Sequence, residues 1–185
     1  MELTPSPIVG LPTLAARMAG RCETWRALER DGAWAAVTVD SIGAWERRHL
    51  SRLASVETTW TDLAVGETLL HFDPRFDNNI ISSHGRASLV DWGRACIGPA
   101  WADLVCLLLQ SDLDDRDPEQ LFVNHPVGHD AEAEQVDAFL VALASYWTHT
   151  ASLPGLAHAP HLRDRREYSR QATVGWLRRR WRNPV

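Results

Sequence analysis

The chain has 185 residues, 45% of them hydrophobic and 23% charged, an ordinary globular balance that excludes a disordered or low-complexity protein. Its formal net charge of −5 excludes the basic surface that general nucleic-acid binding requires. No stretch approaches the ~18 uninterrupted apolar residues of a membrane span, and the length suits a single compact unit burying roughly 70% of its unfolded surface.

After a Pro-rich lead-in, Leu11, Leu14, Met18, Trp25 and Leu28 recur at helical spacing, and Asp31-Gly32 ends that pattern. A second helical set follows at Ile42, Trp45, Leu50, Leu53 and Val56, with Asp40 and Ser41 in capping position. Residues 69–104 read "LLHFDPRFDNNIISSHGRASLVDWGRACIGPAWADL". Here short strands at 79–82 and 88–91 are expected around a His84-Gly85 turn, with Leu69, Leu70, Ile80, Ile81, Leu89 and Val90 as buried β structure. Pro99 opens a helix whose apolar stripe is Trp101, Leu104, Val105, Leu108 and Leu109, which makes it core. An acidic loop over 111–119 precedes a helix carrying Val136, Phe139, Leu140, Leu143 and Trp147, and a last helix runs over 163–181. The predicted class is mostly α (α+β): helices around one small β hairpin.

Three cysteines, Cys22, Cys96 and Cys106, lack a C-x-x-C pair and signal neither a disulfide framework nor a zinc site, as suits a cytoplasmic protein. His125 and His129 have i,i+4 spacing, but Pro126 and Gly128 argue against a helix that aims both at one metal. The Arg-rich end alternates with Asp164, Glu167, Tyr168 and Trp176, as on a solvated amphipathic helix. There is no lysine in the chain.

His71, Asp73, Asn78 and Asp91 fall in the order H-x-D-x-x-x-x-N, followed one hairpin later by D-W. Phosphoryl transfer needs one carboxylate to orient and deprotonate a hydroxyl, and an amide plus a second carboxylate to hold Mg²⁺ on nucleotide phosphates. The bland rival is a turn in which Asp73, Asp77, Asn78 and Asn79 satisfy local backbone N–H groups.

On "HFDPRFDNNI", "VDWGRACIGP" and "WADL", the sequence resembles the aminoglycoside phosphotransferase and choline-kinase-like branch of the protein-kinase-like fold, over the larger helical lobe of that family. The resemblance implies that Asp73 is the catalytic base, that Asn78 and Asp91 are metal ligands, and that His71 props the loop. It places Arg75 where charge on the transferred phosphate is stabilised, with an ion-pair partner for neighbouring carboxylates as its other reading. Asp103 resembles the family's structural aspartate beneath the catalytic loop. Asp112, Asp114 and Asp115 read as a solvated loop, and the resemblance adds a share in binding a cationic acceptor.

The implied cofactors are Mg²⁺ and ATP as co-substrate. The implied partner is a small, amine-bearing acceptor, with no nucleic acid and no membrane. The family's other half covers ATP with a glycine-rich loop and supplies a lysine, neither of which is present, so 1–10 is expected to be a hinge remnant or linker and 11–185 the helical catalytic lobe. The nucleotide-covering lobe would then be encoded upstream or on a separate chain. A non-catalytic binding domain that retains the fold is the alternative.

Overall fold

The computed structural model describes residues 3–32, 42–110, 113–129, 131–155 and 159–182, a mostly helical chain with two small antiparallel sheets. These residues fall into two compact units, 1–17 with 64–132, and 18–63 with 133–185. Among them, no helix is long and apolar enough to cross a membrane.

The first unit is built on β1 (Thr68–Leu70), which pairs antiparallel with β4 (Cys96–Gly98) in the register Leu69↔Ile97. The single-hairpin expectation missed this sheet. Residues of the lead-in line both strands: the Leu69 N–H donates to the Leu3 carbonyl at 2.8 Å, and the Ile97 N–H to that of Pro12 at 2.9 Å. Edge strands capped in this way offer no free ladder to another chain. Gly98 permits the close packing, since a Cβ there would sit 2.7 Å from Leu70 Cδ1.

Between these strands lies the expected hairpin, β2 (Asn79–Ile81) and β3 (Ala87–Leu89), shorter than expected and one residue out of step on its second strand. Its burial was misjudged. Leu69 and Leu70 are buried, but Ile80, Ile81 and Leu89 are exposed, because a two-stranded ribbon with no layer over it leaves both faces open.

After Pro99, α6 (Trp101–Gln110) buries Trp101, Val105, Leu108 and Leu109, with Cys106 beside them, and packs against α7 (Pro118–Val123) and α8 (Pro126–His129). Of the expected stripe Leu104 alone is only half-buried, and Ala102 and Cys106 are buried beside the rest. Leu109→Ala should therefore cost about 2–5 kcal/mol and Leu104→Ala clearly less, as read from urea melts. Near-equal losses would mean that the buried face is misplaced. Helix α8 corrects the reading of His125 and His129: Pro126 begins the turn, where a missing N–H is harmless, and the His129 N–H donates to the His125 carbonyl.

In the second unit each predicted N-terminal helix is broken in two. α1 (Leu14–Met18), which straddles the unit boundary, ends before a turn at Gly20 (φ 70), and α2 (Thr24–Asp31) ends at Gly32 in the left-handed conformation. The next pattern breaks at His49 into α3 (Ala44–Arg48) and α4 (Leu50–Glu57), followed by α5 (Trp60–Leu63). The cap expected from Asp40 and Ser41 lies outside the described residues. α9 (Ala133–Ser152) packs on α2, α4, α5 and α10 (His161–Arg182) and buries Val136, Phe139, Leu140 and Leu143, while Trp147 is half-buried. The last helix is not merely a solvated amphipath: Trp176 is in the core, and Arg170 and Arg180 are buried in ion pairs with Glu46 and Asp137.

All three cysteines are free and buried, and burial pushes the Cys22 and Cys96 thiols up to about 12, which makes them poor nucleophiles.

Candidate active site

The chain leaves β1 at Leu70 and enters a loop that Asp103 holds from beneath. From the first turn of α6, the Asp103 carboxylate accepts the His71 N–H at 2.7 Å on Oδ2 and the Phe72 N–H at 2.8 Å on Oδ1. Phe72 is itself left-handed (φ 59), a conformation that disfavours bulky residues. Its ring is buried, with the Arg94 guanidinium 5.5 Å from its centroid. Burial pushes the Asp103 carboxyl above its ordinary value, against the pull of the two amides.

His71, only 1% exposed, ties three segments together. Its Nε2 lies 2.8 Å from the Val90 carbonyl, and its Nδ1 lies 3.3 Å from the Asp73 amide nitrogen. A carbonyl can only accept and an amide can only donate, so the tautomer that serves both is neutral with the proton on Nε2. Trp92 packs edge-on against the ring at 4.7 Å.

The next turn takes its hydrogen bonds from asparagines. Asn78 Nδ2 donates to the Asp73 carbonyl at 2.9 Å, Asn79 Nδ2 donates to that of Arg75 at 2.6 Å, and the Arg75 and Asn78 amides close the turn. The Asp73 carboxylate, by contrast, accepts no backbone N–H among the described residues. Its neighbour is Arg75, with Nε 3.0 Å from Oδ1 but not aimed along a hydrogen bond, while Arg75 Nη1 reaches Asp77 at 2.9 Å. Asn78 and Asn79 thus serve the turn through its carbonyls and not through the N–H groups expected, and the Asp73 carboxylate serves neither.

Asn78 and Asp91 come to the same end of the hairpin, because the Asn79↔Leu89 pair is followed by a Val90 N–H donating to the Asn78 carbonyl at 2.9 Å. Asp91 is left-handed (φ 61, ψ 61) and exposed, and its carboxylate caps nothing in the short helical turn Trp92–Arg94 that follows. The buried Asn78 spends its amide nitrogen on the loop, so its oxygen is the atom left to ligate. One amide oxygen and one carboxylate make an all-oxygen donor pair, which fits a hard divalent cation that completes its shell with water and phosphate. Among the described residues there is no group of three or more His, Cys, Asp or Glu able to hold a metal ion by themselves.

Asp114 and Asp115 lie apart from this loop in sequence, exposed in a turn before α7 with φ of 48 and 62, and Asp112 lies outside the described residues. Trp92 and Arg94 were not singled out from sequence, although both stand inside the "VDWGRACIGP" run. Arg94 Nε is buried without a hydrogen-bond partner.

Residues 9–153 match the model of the phosphotransferase enzyme family. The chain belongs to that family. The resemblance carried by "HFDPRFDNNI", "VDWGRACIGP" and "WADL" is thereby borne out, and all three runs lie inside the matched span of this phosphotransferase-family chain. No curated protein and no solved structure matches it.

Proposed function

We propose that the chain is the helical catalytic lobe of a protein-kinase-like fold that, joined by a nucleotide-covering lobe, transfers the γ-phosphate of ATP to a hydroxyl of a small, amine-bearing molecule. What supports this most is the Asp73 carboxylate: Asp103, His71 and Asn78 fix the backbone on either side of it, yet no backbone group among the described residues consumes it. A fixed carboxylate with spare lone pairs is what a general base requires. As the acceptor oxygen forms its bond to the γ-phosphorus and the bond to the β-phosphate oxygen breaks, Asp73 takes the hydroxyl proton. Asn78 and Asp91 would hold Mg²⁺, which supplies charge neutralisation on the phosphates when bound. Arg75, beside Asp73, would face the transferred group, and its exposed partner Asp77 can be given up to solvent.

The glycine-rich loop and the phosphate lysine of this reaction class would come from outside these 185 residues. The test is to fuse the nucleotide-covering lobe of a relative to this chain and follow phosphate transfer from labelled ATP to amine-bearing alcohols. Transfer by the fusion, with negligible transfer by the chain alone, is expected. A fusion that binds ATP but phosphorylates no acceptor would overturn the catalytic reading in favour of a non-catalytic binding domain.

The metal assignment has its own test. Asp91→Asn keeps a residue that tolerates the left-handed backbone and removes the charge. It should weaken Mn²⁺ binding in the presence of ATP by about tenfold, the equivalent of 1.4 kcal/mol, in calorimetry. Unchanged binding would remove Asp91 from the ligand set.

A further inference from the structure

The second unit contains a cavity of about 390 Å³ between α4, α5, the N-terminus of α9 and the C-terminus of α10. That volume is at the small end of the range, about 300–1,000 Å³, in which small-molecule sites fall. One side of it is a rigid wall. Asp137 accepts from the buried Arg180 guanidinium on Oδ1 and from the Trp181 indole N–H on Oδ2 at 2.9 Å, so its charge is met from two sides. Trp181 is also tilted against Trp45, with centroids 5.5 Å apart. Val56 and Leu63 supply apolar surface.

Two lining charges are not met in this way. The Arg52 guanidinium lies 3.8 Å over the Trp181 ring, a cation–π contact that orients it without neutralising it, and it has no carboxylate partner among the described residues. Glu134, in the first turn of α9, gains from the helix dipole but has no cationic partner there either. The two line one cavity and are not within ion-pair distance of each other.

We propose that this cavity binds a small zwitterion with an apolar body, of the chemical class of an aliphatic amino acid, with its carboxylate toward Arg52 and its ammonium toward Glu134. Arg52 is already stacked, so little side-chain freedom remains to be lost when it pairs with a planar carboxylate. The aliphatic portion is placed against Val56 and Leu63. Every lining residue belongs to the helical unit, so the inference does not rest on the phosphotransfer reading.

The test uses the full chain and three probes of matched shape: L-leucine, 4-methylpentanoate, which lacks the amine, and 3-methylbutylamine, which lacks the carboxylate. Binding is followed on the Trp181 indole N–H resonance, assigned by its absence in Trp181→Phe. Leucine should bind about tenfold or more tighter than either single-charge probe. Arg52→Gln should bring leucine down to the level of the amine, and Glu134→Gln down to that of the acid, while both variants, altered at exposed side chains, melt within about 4 °C of wild type. Equal binding of the three probes, loss of leucine preference in neither variant, or no leucine binding tighter than about 10 mM would overturn the proposal.

Discussion

Asp73→Asn should abolish phosphoryl transfer in the lobe-fused enzyme, lowering kcat by about 10²–10⁴, the contribution of a positioned general base. The amide keeps the shape of the side chain, and the surrounding contacts do not depend on its charge: the Asp73 carbonyl still accepts from Asn78 Nδ2, and its amide still donates to His71 Nδ1. The fold should persist, since the carboxylate serves no backbone donor among the described residues. The one interaction lost is the contact with Arg75, which retains Asp77 at 2.9 Å. Steady-state rates with ATP and the acceptor, together with an unchanged urea midpoint, check the claim. A variant that retains more than about a tenth of the rate would assign the base elsewhere.

The elements that decide this chemistry were unevenly legible in the sequence. His71, Asp73, Asn78, Asp91 and Asp103 could be picked out because the role proposed for each rests on its side chain, and side-chain type is what a motif records. The Val90 carbonyl, which fixes the His71 tautomer, could not, because a backbone acceptor leaves no trace in residue identity. Nor could the left-handed Phe72, because no local preference favours φ 59 for an aromatic.

At the level of the fold, helix patterns were read well and their interruptions poorly. His49 gives no helix-breaking signal as strong as Gly20 or Gly32, yet α3 and α4 part there, with the His49 ring nitrogen 2.8 Å from the Trp45 carbonyl. The β1–β4 pairing is long-range, and the three-residue strands are too short for alternation to declare itself. Ile80, Ile81 and Leu89 were read as buried because apolar residues in a strand presume a layer against them, yet all three are exposed.

Asp103→Ala should be the costliest single change in the loop. It leaves the His71 and Phe72 amides without an acceptor in a part-buried setting, at about 1–3 kcal/mol each, so a loss of about 2–6 kcal/mol is expected. The left-handed Phe72 then lacks the contacts that hold it, so the loop should relax and the fused enzyme should lose activity beyond what the drop in folded fraction explains. The wild-type carboxyl also carries a pH signature. Its folded pKa is raised above the ordinary 3.8, chiefly by burial, so the folded state binds more protons than the unfolded chain between those two values. The stability linked to this group is therefore fully present below about 3.8 and is lost as pH rises through the folded pKa. Asp103→Asn offers one acceptor oxygen for two donors and cannot ionise, so it should be intermediate in stability and should lack this share of the pH slope. Glu57, also raised chiefly by burial, contributes a slope of the same sign, which both variants keep. Urea midpoints for wild type, Asp103→Asn and Asp103→Ala at a series of pH values from about 3.5 to 6.5 separate the two groups. A full wild-type slope in Asp103→Asn would place the titration on Glu57, and an Asp103→Ala midpoint equal to wild type would show that the two amides do not depend on this carboxylate.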